Sequence, residues 1–217
     1  MKDVTRLFTV LTADVVASRR IWDRKMVQAD LKEAMERLNL EAGNALITRF
    51  SIMSGDQIQG VLRNASGLPK VLRRLRGLVY PVRLRVGAGI GEVVTEIRPD
   101  YSGEMDGPAF HNARWCLEAM KREKFRLTMC KSPEQDLDQT VNAVLALMDA
   151  VQGRWTREQW AAIQSYDRLG TYRAAAEELG IALQNVEKRC SAADWLAFHE
   201  AEEYLEKLLQ RFSPMEG

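Results

Sequence analysis

Apolar and polar residues follow patterns that predict strands and helices in turn along the first part of the chain. Residues 7–13 form a short apolar, β-branched run that is typical of a buried strand, and Asp14 ends it. Residues 23–42 carry apolar side chains at steps of three to five positions, which predicts an amphipathic helix. Residues 47–62 alternate around a glycine turn, which predicts a β-hairpin with Asp56 at its tip.

The same patterns continue toward the middle of the chain. They predict a helix over 69–78, a strand from 82 that runs into a glycine-broken stretch to 97, a helix over 109–122 and a strand over 125–130. Glycines at alternate positions, as in Gly87, Gly89 and Gly91, indicate a bend or a close backbone approach.

The resulting order is β-α-β-β-α-β-α-β, and its first six elements have the ferredoxin-like arrangement. We therefore expect an α+β fold, in which an antiparallel sheet carries helices on one face and an all-α helix-turn-helix domain follows. The predicted boundaries are an α/β domain over 1–133, a connecting helix over 134–152 and the helix-turn-helix domain over 153–217.

The C-terminal part has a small-residue pattern that is typical of two crossing helices. Ala176 allows close approach, and Gly180, four residues later, permits a left-handed turn. Ile181 is expected to fill the core, and Val186 to pack the second helix back. This spacing resembles the helix-turn-helix domains of sigma factors and transcription regulators, within a set of four helices that begins near Trp155.

The resemblance implies a recognition helix over 183–191. In that interpretation Gln184 and Asn185 approach base edges, while Lys188 and Arg189 contact phosphate or guanine. Charge argues the other way, because residues 153–217 hold eight basic and eleven acidic residues (net −3), against 23 and 19 (net +4) in residues 1–152. The alternative is a helical bundle that packs on the first domain or mediates dimerisation.

Asp14 and Asp56 are the sharpest candidates for chemistry. If the first strand lies beside the hairpin, the two carboxylates meet at one edge of the sheet, where a divalent cation between them would relieve their repulsion. Mg²⁺ is commonly bound by one or two carboxylates together with substrate phosphates. The alternative is that both aspartates simply occupy turns, where aspartate is common.

Four segments resemble successive motifs of class III nucleotide cyclases. They are residues 8–16 (FTVLTADVV), 54–56 (SGD), 85–94 (RVGAGIGEVV) and 107–109 (GPA). The resemblance implies a cyclase-like fold in which Asp14 and Asp56 bind Mg²⁺ or Mn²⁺, with a nucleotide as ligand. The match is weaker at the catalytic positions and disfavours cyclase activity, because Ile52 stands where the family has its base-recognising lysine, although Arg114 could serve as the family's arginine. The positions of the family's catalytic asparagine and arginine fall on His111 and Trp115, or with a shift of one on Asn112 and Cys116.

A closer resemblance is to the SatD family of bacterial proteins. The matching segments are residues 14–19 (DVVASR), 54–62 (SGDQIQGVL), 87–92 (GAGIGE) and 106–114 (DGPAFHNAR), with Arg24, Gln28, Leu31, Leu38 and Asn39 between them. Gln57 departs from the glutamate that the family usually has there. The retained residues suggest anion binding, by Ser18 and Arg19 and by a second group of four: Asp106, His111, Asn112 and Arg114. The alternative is a set of solvated surface side chains.

The remaining features of the sequence predict a cytoplasmic protein. The N-terminus lacks a signal-peptide layout, no apolar run approaches the roughly 20 residues that cross a bilayer, and the three cysteines fit reduced core thiols. Three hypotheses follow: a regulator whose metal–nucleotide domain controls a DNA-binding helix-turn-helix, a Mg²⁺- or Mn²⁺-dependent enzyme acting on a nucleoside triphosphate, and a protein-binding adaptor. The resemblances to cyclases and to helix-turn-helix proteins also suggest a homodimer, because both kinds of domain commonly pair.

Overall fold

The computed structural model of the protein describes residues 6–16, 24–122 and 126–212. Within these ranges the strands are β1 (Phe8–Val15), β2 (Leu46–Ser54), β3 (Gln57–Leu62), β4 (Leu84–Gly91) and β5 (Thr128–Lys131). The helices are α1 (Arg24–Ala42), α2 (Leu68–Val79), α3 (Pro108–Arg122), α4 (Gln135–Gln152), α5 (Arg157–Leu169), α6 (Tyr172–Leu179), α7 (Leu183–Ala192) and α8 (Trp195–Leu209).

The five strands form one sheet in the order β2-β3-β1-β4-β5. The first four are antiparallel neighbours in the ferredoxin-like order, which confirms the α+β fold class. The last pair, β4 and β5, is parallel and differs from the purely antiparallel sheet that the sequence predicted.

Helices cover both faces of this sheet. Leu11 and Val15 of β1 point into the core that contains α1 and α2, as the ferredoxin-like arrangement predicts. Phe8 and Val10 point the other way, into a second cluster with Phe110 of α3. The sequence predicted helices on one face only, whereas α3 forms a second layer on the other face. The reason lies in β1, because a strand that is apolar on both sides must be covered on both sides.

Glycines let α3 lie directly against the sheet. A Cβ atom on Gly89 would come within 2.0 Å of the Ala109 carbonyl oxygen, and one on Gly87 within 2.3 Å of the Ala113 carbonyl oxygen. These contacts confirm the close backbone approach that the alternating glycines predicted, although the segment forms a regular strand.

Helix α4 covers the outer edge of β5. The Asn142 side chain accepts a hydrogen bond from the Cys130 N–H at 2.7 Å and donates one to the Cys130 carbonyl at 2.8 Å. Asp149 accepts from the Leu127 and Thr128 N–H groups. Side chains of one helix thus satisfy backbone groups that a neighbouring strand would otherwise pair, and the edge is protected from association.

Four helices follow α4, as the sequence predicted. Thr156 caps the start of α5 with a capping box, in which the Thr156 side chain accepts from the Gln159 N–H and the Gln159 side chain accepts from the Thr156 N–H. Gly180 turns α6 into α7 in a left-handed conformation at φ 63°. Trp195 and Phe198 are buried, as expected, and Cys116, Cys130 and Cys190 are buried free thiols.

The hydrophobic core is continuous from the sheet into the C-terminal helices. One cluster of buried residues contains Leu11 of β1, Leu75 of α2, Ile163 of α5 and Trp195 of α8. Helices α2 and α4 connect the two parts: α2 packs on α1 and also on α5 and α8, and α4 packs on β5 and on α8.

Candidate functional site

Asp14 lies at the end of the central strand β1, on the face of the sheet that α3 covers. It pairs in register with Arg85 of β4, whose Nη1 lies 3.4 Å from Asp14 Oδ2. The other oxygen, Oδ1, is buried and has no hydrogen-bond partner among the described residues. The side chain is 20% exposed, so one carboxylate oxygen is enclosed by protein without compensation.

Asp56 occupies the turn of the β2–β3 hairpin, as predicted. The turn depends on Gly55, whose φ of 61° belongs to the left-handed region that glycine tolerates. Gln28 of α1 donates from Nε2 to the Gly55 carbonyl at 3.2 Å, which ties the hairpin tip to the first helix. Because β3 pairs with β1, the hairpin brings Asp56 to the same end of the sheet as Asp14.

The pKa of Asp14 is raised above its usual value. Burial is the main cause, and it outweighs the lowering effect of the positive charges of Arg85 and Lys121. The negative charges of Asp56 and Glu118 raise the pKa further. Burial and the two neighbouring carboxylates thus disfavour the ionised form of Asp14 more than the nearby basic groups favour it.

These features fit a divalent cation with few protein ligands. In the described part of the chain, no group of three or more His, Cys, Asp or Glu side chains is placed to hold a metal ion. Asp14 and Asp56 would supply two carboxylates, and the remaining positions would fall to water and to a ligand's phosphates, as is usual for Mg²⁺. The unpartnered Oδ1 of Asp14 is the atom that such a cation would satisfy.

A row of polar side chains continues from the site across the sheet. Thr12 donates from Oγ1 to Gln59 Oε1 at 3.2 Å, and Gln59 donates from Nε2 to Ser102 Oγ at 3.0 Å. Gln59 is thus held within a part-buried network of hydrogen bonds.

Two of the second group of predicted anion ligands lie at the opposite end of the sheet. Asp106 and His111 are exposed and pair with each other at 3.0 Å, where the start of α3 lies against Gly91. Six register positions along β1 separate this end from Asp14, or about 20 Å at ~3.3 Å per residue. Asn112 donates to the Ile90 carbonyl and fastens α3 to β4, and Arg114 is exposed farther along α3. One chain therefore keeps Asp106 and His111 away from Asp14.

Ser18 and Arg19, the other predicted anion ligands, lie outside the described residues. Arg85 and Lys121 are basic residues near Asp14 that the sequence interpretation missed. The sequence pattern indicates the position of Arg85 in the strand, since it alternates with the apolar residues Leu84 and Val86. Its contact with Asp14 follows only from the pairing of β1 with β4.

The predicted recognition helix is α7. Gln184, Asn185 and Lys188 are exposed on it and Arg189 is half-buried, while Val186 and Cys190 face the core. The polar residues therefore lie on the outer face of the helix, where a docking surface would have to be.

Sheet order and C-terminal helices together define an α+β protein with a five-stranded sheet followed by a helical region. The chain belongs to the SatD family, whose model matches residues 8–196. The match covers the sheet and reaches the start of α8, which confirms the family resemblance of the sequence.

Comparison with solved structures finds similarity to two proteins at low identity. A bacterial light-regulated adenylyl cyclase has 13% identity and a TM-score of 0.41, over 70% of this chain and 81% of that one. A regulator of polyketide synthase expression from Bifidobacterium adolescentis has 12% identity and a TM-score of 0.28, over 95% and 85%. No curated protein matches the chain in sequence. Within the described residues, none of the helices has the length and apolar character needed to cross a bilayer.

Proposed function

We propose that the protein is a ligand-responsive regulator. In this proposal Asp14 and Asp56 hold Mg²⁺ or Mn²⁺, the cation binds the phosphates of a nucleotide, and the C-terminal helix-turn-helix contacts DNA. The observation that carries the proposal is the buried Oδ1 of Asp14, which has no hydrogen-bond partner among the residues that the structure describes. Buried polar atoms without partners are rare and costly, and a bound cation is a direct reason to keep one.

The surroundings of Asp14 support binding over turnover. Ile52, at the position where the cyclase resemblance calls for a base-recognising lysine, is an apolar side chain packed against the main core. Neither His111 with Trp115 nor Asn112 with Cys116 supplies a catalytic asparagine and arginine. A charge clamp on a triphosphate contributes several kcal/mol to transition-state stabilisation, and without it a bound nucleotide acts as a signal.

Calorimetric titration tests the metal site. Mn²⁺ alone, and Mn²⁺ with ATP or GTP, are titrated into the wild type, Asp14→Asn and Asp100→Asn, the last being an exposed aspartate as the matched control. We expect Mn²⁺ binding that is lost or at least about tenfold weaker in Asp14→Asn and unchanged in Asp100→Asn. Equal binding by all three proteins would remove the site. Release of pyrophosphate from the nucleotide would show that the protein is an enzyme and would overturn the proposal of a sensor.

The DNA contact is supported by the polar outer face of α7. A gel shift on genomic fragments at low salt compares the wild type with Lys188→Ala/Arg189→Ala and with Lys207→Ala, an exposed lysine on α8. We expect a salt-dependent shift that only the double variant loses, because phosphate contacts release counterions. If no fragment shifts at low salt, the helical part serves as a protein adaptor.

A further inference from the structure

Helices α4 and α8 run antiparallel and leave an open apolar groove between them. At one end Arg211 Nη2 lies 3.3 Å from Glu134 Oε2. Toward the other end the groove, of about 440 Å³, is lined by Val144, Leu147 and Val151 of α4 and by Ala197, Ala201 and Tyr204 of α8. Leu147 is 70% exposed and Tyr204 is 52% exposed.

The fold uses only part of this surface: Val144, Val151 and Ala201 are partly buried against the core, whereas Leu147 and Tyr204 project from it into solvent. The inward faces of the same helices, with Leu145 of α4 and Leu205 and Leu209 of α8, already supply the buried core. Positions 144, 147 and 151 recur at helical spacing, as do 197, 201 and 204, so each helix has a second apolar stripe. Two such stripes beside a groove are the usual receptor for an amphipathic helix, and exposed apolar patches of this kind mark interaction sites.

Charge identifies the kind of helix that fits. Asp194 and Glu200 line the groove, and no lysine or arginine does so in the part of the chain that the structure describes. Arg154 lies 3.9 Å from Asp194 at the end of the groove, so the acidic character of the groove rests mainly on Glu200. Glu203, one turn along α8 from Glu200, is exposed as well. A partner with lysine or arginine beside its apolar stripe would therefore gain favourable charge contacts.

A second copy of this chain fits less well. In a two-fold symmetric pair the same surface meets itself, so that the acidic groove residues would approach acidic residues. We propose that the α4–α8 groove binds a basic amphipathic helix of a different protein. This surface lies outside the metal site and the α7 face, and so goes beyond the proposed function.

The occupant's length follows from the groove. From Val144 to Val151 is seven residues, about 10 Å of helix at ~1.5 Å per residue. A helix of three to four turns, with leucines at i, i+3, i+4 and i+7 and lysines elsewhere, would place its apolar stripe along the whole groove.

Fluorescence anisotropy with a labelled peptide of that design tests the proposal on the full chain. Comparison peptides carry the same residues scrambled, or glutamate in place of lysine. We expect Leu147→Glu to weaken binding of the basic peptide about tenfold or more, Glu200→Gln to weaken it in a salt-dependent way, and Leu40→Glu, at a 77% exposed leucine on α1, to leave it unchanged.

Circular dichroism of each variant checks that the fold is intact. Equal binding of the scrambled peptide, or equal binding by Leu147→Glu and the wild type, would overturn the proposal. A dimeric mass in light scattering that becomes monomeric in Leu147→Glu would also overturn it, because the occupant would then be a second copy.

Discussion

Asp14 is a partly buried carboxylate that the surrounding protein leaves incompletely compensated. Its Oδ2 has Arg85 at 3.4 Å, a long contact, and its Oδ1 has no hydrogen-bond partner in the described structure. Burial raises its pKa above the model-peptide value, so the ionised form is less favourable in the folded than in the unfolded chain. At neutral pH, without a cation, Asp14 therefore lowers the stability of the protein.

The sign of this effect gives a prediction for Asp14→Asn in metal-free buffer. A raised pKa means that the folded state holds its proton to higher pH, so stability falls as pH rises through the folded pKa. Below the unfolded value of about 3.8 both states are protonated and the penalty is absent. We expect the variant to exceed the wild type in free energy of unfolding near pH 7, with a difference that narrows toward pH 4.

Urea denaturation in EDTA at several pH values measures the difference, with Asp100→Asn as the control that should show no such trend. Adding Mn²⁺ should then stabilise the wild type and leave Asp14→Asn unchanged, since only a protein that binds the ion gains from it. A variant less stable than the wild type near pH 7 would mean that the ion pair with Arg85 outweighs the burial of Asp14.

Strand β4 shows how a single element fixes the position of a whole helix. Its glycines face α3, and the backbone of α3 occupies the space where their side chains would be. A clash with backbone atoms cannot be relieved by rotating a side chain, so the helix itself must move.

We expect Gly89→Ala to be strongly destabilising, by about 3 kcal/mol or more, because a Cβ there meets Ala109 and Ala113 backbone atoms at 2.0 and 2.3 Å. Gly67→Ala is the matched control. Gly67 has φ −71°, which alanine adopts freely, and its Cβ would meet only a Leu62 methyl group at 4.0 Å. We expect that change to be neutral or stabilising by up to ~1 kcal/mol. Chemical denaturation of the two variants decides, and equal stability would contradict the packing argument.

The local sequence pattern predicted the helices and strands of the sheet region well, because hydrophobic periodicity and glycine turns depend on residues close together in the chain. The helix expected over 23–42 is α1, and the hairpin with Asp56 at its tip is β2–β3. Two features depended on pairing between distant segments and had no local signal. One is the parallel position of β5, which Asn142 and Asp149 of α4 support. The other is which helix lies on the second face: the apolar run of β1 indicates that both faces are covered, but only the pairing of distant segments places α3 there.

The two parts of the molecule are joined through Arg73 of α2. This arginine is 2% exposed, and its Nε lies 2.8 Å from Oε1 of Glu202, an equally buried residue of α8. Its Nη2 lies 3.1 Å from Asp167 of α5, and its guanidinium stacks 4.9 Å from the centre of the Trp195 ring. Residues 129 positions apart thus form a buried ion pair that no sequence pattern indicated.

We expect this joint and the continuous core to make the described protein unfold as one unit. Arg73→Met leaves the Glu202 carboxylate buried without its main partner, which typically costs about 3–5 kcal/mol. Arg73→Met/Glu202→Met removes both charges and should regain most of that loss. The exposed pair of Arg98 and Glu104 is the matched control, since Arg98→Met should change stability by less than ~1 kcal/mol.

Urea denaturation followed by tryptophan fluorescence and by circular dichroism measures both effects. Three of the five tryptophans are buried in the C-terminal part: Trp155 just before α5, Trp160 in α5 and Trp195 in α8. Trp115 is half-exposed on α3, so a change in fluorescence reports mainly on the C-terminal part, whereas circular dichroism reports on the whole chain. Coincident transitions are expected, because the core crosses from α2 into α5 and α8. Two separate transitions in the wild type would show that the parts are independent, and a ligand at Asp14 would then have no rigid connection through which to affect α7.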